Sequence, residues 1–119
     1  MKLEYKSSKL KKQCTDIKAA KKLFGGNDKL AISLLARIRA LTEAVTIKDI
    51  IVQEIFRFHK LNGKREGQFA IDVKTKRDPW RIILEPLDES GARYVPCNID
   101  EISMNVRIVE IVEVSKHYE

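Results

Sequence analysis

The apolar residues change period near residue 46, from three- and four-residue steps to alternation, and this restricts the chain to folds whose helices precede and cover a sheet. Leu10, Cys14, Ile17, Ala20 and Phe24 lie on one face of a helix that begins at Ser7 or Ser8 and stops at Gly25-Gly26, where glycine accepts the left-handed conformation of a helix end. Leu30, Leu34, Ile38, Leu41 and Val45 form a second stripe behind a cap at Asn27 or Asp28. Such stripes are core and carry no chemistry of their own. Strands are predicted over 2–6, 54–61, 68–74, 80–85 and 106–114, with turns at Asn62-Gly63 and Asp78-Pro79 and a stop at Pro86. Residues 88–105 show no regular pattern. The reading is a single α+β domain over 1–119: an N-terminal helical hairpin packed on a four- to five-stranded, mainly antiparallel sheet.

Charge is distributed unevenly along this framework. Lys+Arg against Asp+Glu runs 9 to 3 over residues 1–29, 3 to 3 over 30–56, 8 to 3 over 57–81 and 3 to 8 over 82–119, for a net +6. Clustered cations release counterions when they meet phosphates, so the basic blocks point to a polyanionic partner. Over 1–29 a solvated lysine-rich face explains the charge equally well. Cys14 and Cys97 fit no zinc or redox spacing and read as free thiols. The opening residues lead into lysines rather than an apolar signal, and no segment reaches the roughly 18 apolar residues of a membrane span. The expectation is a cytoplasmic protein without membrane contact, cofactor or metal.

Alternation then gathers the basic block of 57–81 onto a surface. Arg57, His59 and Leu61 fall on one side of their strand, Phe56 and Phe58 on the other; in the next strand Phe69, Ile71 and Val73 oppose Gln68, Ala70, Asp72 and Lys74. Arg81 is placed with the exposed polar side of its own strand, and the loop 62–67 is flanked by glycines that permit close backbone approach. Cations beside a histidine suit phosphodiester chemistry, although a single strand histidine is more often structural.

These residues also carry a resemblance. Phe58-His59-Lys60-Leu61-Asn62-Gly63-Lys64-Arg65-Glu66-Gly67, followed by Trp80-Arg81-Ile82, resembles the HigB branch of the RelE/ParE toxin superfamily: a histidine, a Leu-x-Gly-x-Arg-x-Gly loop and a Trp-Arg-Ile strand. The resemblance implies a RelE-like fold and the toxin of a type II toxin–antitoxin pair. Such a toxin is a ribosome-dependent endoribonuclease acting on translated mRNA, neutralised by a HigA-like helix-turn-helix antitoxin in a hetero-oligomer.

HigB-like chains close on an Asp-Tyr-His triplet, whereas this one ends Ser115-Lys116-His117-Tyr118-Glu119. With His117 in the histidine position, Lys116 takes the place of the tyrosine and Ser115 that of the aspartate; Tyr118 is the other candidate for the tyrosine. Residues 88–105, with Pro96, Cys97 and Asn98, read as an insertion relative to the shortest relatives.

Metal-independent cleavage uses the RNA 2′-hydroxyl as nucleophile and needs a base, an acid and cations around the developing charge. The candidates for catalysis are His59, His117, Arg81 and Lys116, and those for RNA binding are Arg57, Lys60, Lys64, Arg65 and Arg77. Which histidine is acid and which is base stays open. Two rival readings are a ParE-like toxin that inhibits DNA gyrase without cutting nucleic acid and a non-catalytic nucleic-acid-binding module. For the module, Trp80 is the sole tryptophan and aromatics make up 7% of the chain, which leaves few platforms for base stacking.

Overall fold

Each of the three helices before residue 44 is started by a side chain that accepts the amide its first turn leaves unpaired. The computed structural model describes residues 1–116. Ser7 accepts from the Leu10 amide at 3.1 Å to begin α1 (Ser8–Thr15), and Asn27 accepts from the Leu30 amide at 3.0 Å to begin α3 (Asp28–Glu43). Between them the continuous first helix of the sequence reading is broken. Asp16 takes an extended conformation (φ −123°, ψ 121°), ends α1 through its own N–H to Lys12 and caps α2 (Ile17–Leu23) by accepting from the Ala19 amide. An aspartate in mid-helix competes for backbone donors, and here that competition divides the helix. Gly25 and Gly26, with φ of +64° and +91°, then reverse the chain into α3.

Five strands follow the order β1-β5-β4-β3-β2, where β1 is Lys2–Tyr5, β2 His59–Lys60, β3 Phe69–Asp72, β4 Arg81–Leu87 and β5 Ile108–Ser115. β1 runs parallel to β5; the other three pairings are antiparallel. The protein is thus α+β, with helices packed on a mixed sheet. Leu10, Cys14, Ala20, Leu34, Ile38 and Leu41 meet Ile71, Ile82, Leu84, Val109 and Ile111 in one buried cluster.

Several expectations need correcting. Val45 lies beyond the end of α3 and is 63% exposed, so it is no part of the stripe. The predicted strand over 54–61 shrinks to β2, because Glu54–Phe56 forms a 3-10 turn and Arg57 adopts a left-handed conformation (φ 47°) that ends any pleat. Pro86 does not stop β4. β3 pairs with β4 only as far as Leu84, so Pro86 lies beyond the stretch flanked by strands on both edges, and a missing N–H is tolerated there. The irregular 88–105 contains a short helix, α5 (Ile99–Ile102), while α4 (Lys48–Ile51) connects α3 to the 3-10 turn.

If Asp16 acts as the shared cap, Asp16→Ala lowers stability by about 1 kcal/mol while Asp16→Asn, which retains an acceptor, loses little. Urea unfolding of the two variants checks this; equal losses contradict the capping role.

Candidate active site

Register places the predicted residues before any side-chain contact is considered. Across β2, β3, β4 and β5, His59 pairs with Ala70, Ala70 with Ile83 and Ile83 with Glu113; one step along, Asp72 pairs with Arg81 and Arg81 with Ser115. Directly opposed residues share a face. His59, Asp72, Arg81 and Glu113 therefore lie on the side of the sheet turned away from the helices.

That side is not the solvated surface that alternation implied. Leu61, Ala70, Ile83 and Val112 form a second buried cluster on it, and Asp72 is 0% exposed. Asp72 is the centre of a charge network. Its carboxylate pairs with Arg81 Nε at 3.0 Å and with Arg57 Nη1 at 3.3 Å. Arg81, expected on an exposed face, is only 6% accessible. Its remaining nitrogens donate to the carbonyls of Asp78, Trp80 (2.8 Å) and Lys76 (3.3 Å), so it shapes the loop 73–80 from within. Arg37 on α3 adds donors to the carbonyls of Asp72 (3.1 Å) and Lys74 (2.9 Å) while its guanidinium covers the Phe56 ring. Burial lowers the Arg37 pKa, with Asp72 acting in the opposite direction.

Arg57 leads from this network to the histidine. Its side chain stays 42% exposed, and its carbonyl lies 2.7 Å from His59 Nδ1. Since a carbonyl oxygen only accepts, that contact assigns the Nδ1 position as the donor. The left-handed turn at Arg57 accompanies this geometry, and its side chain is paired with Asp72.

The other basic candidates divide into exposed and engaged groups. Lys60, Lys64 and Arg77 are exposed, on β2, on the 3-10 turn Gly63–Arg65 and on the loop 73–80 respectively. Arg65 instead donates to Gln68 (3.1 Å) and to Glu113 on β5 (2.7 Å). Burial raises the Glu113 pKa, but hydrogen bonds from Ser115 and Arg65 and the charges of Arg65 and Lys6 outweigh it, so the carboxyl lies below its ordinary 4.5.

Lys116 is not brought to the histidine face: its ammonium sits 5.6 Å from the centre of the Trp80 ring, which packs edge-on to Phe24 on the helix side. His117 and Tyr118 lie outside the described residues. Among the described residues, no group of three His, Cys, Asp or Glu side chains could hold a metal ion, and no helix is long and apolar enough to cross a membrane.

Sequence reading missed the roles of Asp72 and Glu113. Asp72 left one signal, an acid in the run Phe69-Ala70-Ile71-Asp72-Val73, whose apolar neighbours on both faces imply burial and hence a cationic partner. Glu113 required the register.

Two outcomes are expected. Asp72→Ala leaves Arg81 buried without its counter-charge and costs about 3–5 kcal/mol in urea unfolding; a loss under about 1 kcal/mol contradicts the network. The stabilisation by Glu113, whose folded-state pKa is lowered, is complete above its ordinary 4.5 and fades as pH falls through the lower folded value. Between pH 7 and pH 3 the parent therefore loses more stability than Glu113→Gln, and parallel losses contradict the pair.

Neither a protein-family model nor a curated protein matches the chain, so the reading of the site rests on its geometry and on the motif around His59.

Proposed function

We propose that the chain is the toxin of a type II toxin–antitoxin pair, a cytoplasmic endoribonuclease that cuts translated mRNA on the ribosome and is silenced in a hetero-oligomer with a HigA-like helix-turn-helix antitoxin. The observation that carries this reading is the pairing of His59 with Arg57: a histidine whose Nδ1 is engaged by a backbone carbonyl, two residues from a half-exposed guanidinium. The resemblance of 58–67 and 80–82 to HigB supplies the class.

In this mechanism the 2′-hydroxyl of one nucleotide attacks the neighbouring phosphate and expels the 5′-oxygen of the next. His59 exchanges a proton with the reacting oxygens, and Arg57 supplies charge where the phosphate becomes more negative. Lys60, Lys64 and Arg77 hold flanking phosphates as point charges or forks. Arg81 is a positioning residue, because its buried guanidinium fixes Asp72 and the loop 73–80 and so holds Arg57 in place. His117 is assigned the second proton transfer on the resemblance alone. Lys116, held over Trp80, has no part in these steps.

Purified chain incubated with ribosomes and message is expected to cut the message only when ribosomes are present. His59→Ala lowers the rate by roughly a hundredfold or more at unchanged melting temperature, the usual contribution of a general acid or base. Parental cleavage by folded His59→Ala overturns the assignment, and inhibition of gyrase without cleavage overturns the class.

A further inference from the structure

β2 is the last strand of the sheet, and its residues help to line a groove. The segment 97–100, at the start of α5, also lines this groove of about 560 Å³, within the range of roughly 300–1,000 Å³ usual for small-molecule sites. His59 and Lys60 line it from β2, and Cys97, Asn98 and Asp100 from the segment before and within α5. Phe58 and Phe69, stacked 5.0 Å apart at 17°, also line it, with Ile51 and Ile99. The segment belongs to the insertion 88–105, which the proposed reaction leaves without a role.

We infer that this groove is a nucleobase subsite, taking one base of single-stranded RNA beside His59 and selecting bases that carry an exocyclic amino group over uracil. The inference rests on the endoribonuclease reading only for the identity of the RNA as substrate. An apolar aromatic lining with a few polar groups is how proteins hold unstacked bases. Asp100, when ionised, only accepts and so favours an amino group on the base edge; Asn98 both donates and accepts, as a ring nitrogen next to an amino group requires. Asn98 occupies the N-cap position of α5, yet its side chain makes no capping hydrogen bond, so the amide is not committed to the helix. Asn98 and Asp100 are both exposed. Lys60 on β2 can hold the phosphate that accompanies the base. The groove is lined by the strand that carries His59, so the selected nucleotide belongs to the same RNA strand as the scissile phosphate.

The test is an NMR titration of the full chain with four trinucleotides that differ only in a central C, A, G or U, repeated on Asn98→Ala and Asp100→Ala. Shifts are expected at the amides of 58–60 and 97–100. Affinity for the C-, A- and G-centred probes should fall about tenfold in each variant, the loss of roughly one hydrogen bond, with little change for U. Melting temperatures of both variants should match the parent, since neither side chain is buried. Shifts confined to other parts of the chain, or variants that bind all four probes as the parent does, overturn the subsite. Binding in the groove by a chain that leaves message intact on ribosomes keeps the subsite and removes the nuclease reading. Cleavage without shifts at 97–100 does the reverse.

Discussion

The Asp72 carboxylate has no accessible surface and stands between two guanidinium groups, and the rest of the histidine face follows from that placement. Removing a carboxylate and a guanidinium from water costs several kcal/mol per ion, so the site holds only when most polar atoms find partners. Arg81 finds Asp72 and three carbonyls of the loop 73–80; Asp72 finds Arg81 and Arg57. Arg57 is thereby held in a left-handed turn that shortens β2 and directs its carbonyl to His59. One buried charge thus connects sheet register, loop shape and the orientation of the candidate proton carrier.

The same face explains where much of the uneven charge goes. The block 57–81 is basic and 82–119 is acidic, and the antiparallel pairing of β3 with β4 brings part of the one against the other. Arg65 meets Glu113 and Gln68 reaches Glu85 at 3.4 Å between the two blocks, while Arg93 meets Glu85 within the acidic one. Arg65 is neutralised by an acid within the fold, whereas Lys60, Lys64, Lys74, Lys76 and Arg77 stay exposed and Arg57 partly so, where a polyanion can meet them. Attraction to phosphate is therefore more local than net charge implies.

Helix stripes and strand alternation were legible because both depend on local period, and a stripe such as Leu30, Leu34, Ile38 and Leu41 has few other solutions. The break at Asp16 and the loss of strand at 54–58 were not, since each depends on one residue whose side chain or backbone prefers a different partner. Alternation also misled at Arg81 and Asp72: it assigns a face correctly but assumes that the polar face is wet. β4 is buried at all seven residues, so its two faces both pack. His59 was legible as a candidate from its motif, but its coupling to Arg57 was not, because the left-handed turn has no signature in the residues around it.

The central claim is cleavage through the RNA's own 2′-hydroxyl with protein side chains moving the protons. The most direct measurement is the chemistry of the ends produced when the purified chain cuts message on ribosomes. The account predicts a 2′,3′-cyclic phosphate on the upstream fragment and no cutting when the nucleotide before the scissile phosphate is 2′-deoxy. A 3′-hydroxyl end, or equal cutting of the deoxy-substituted message, contradicts it.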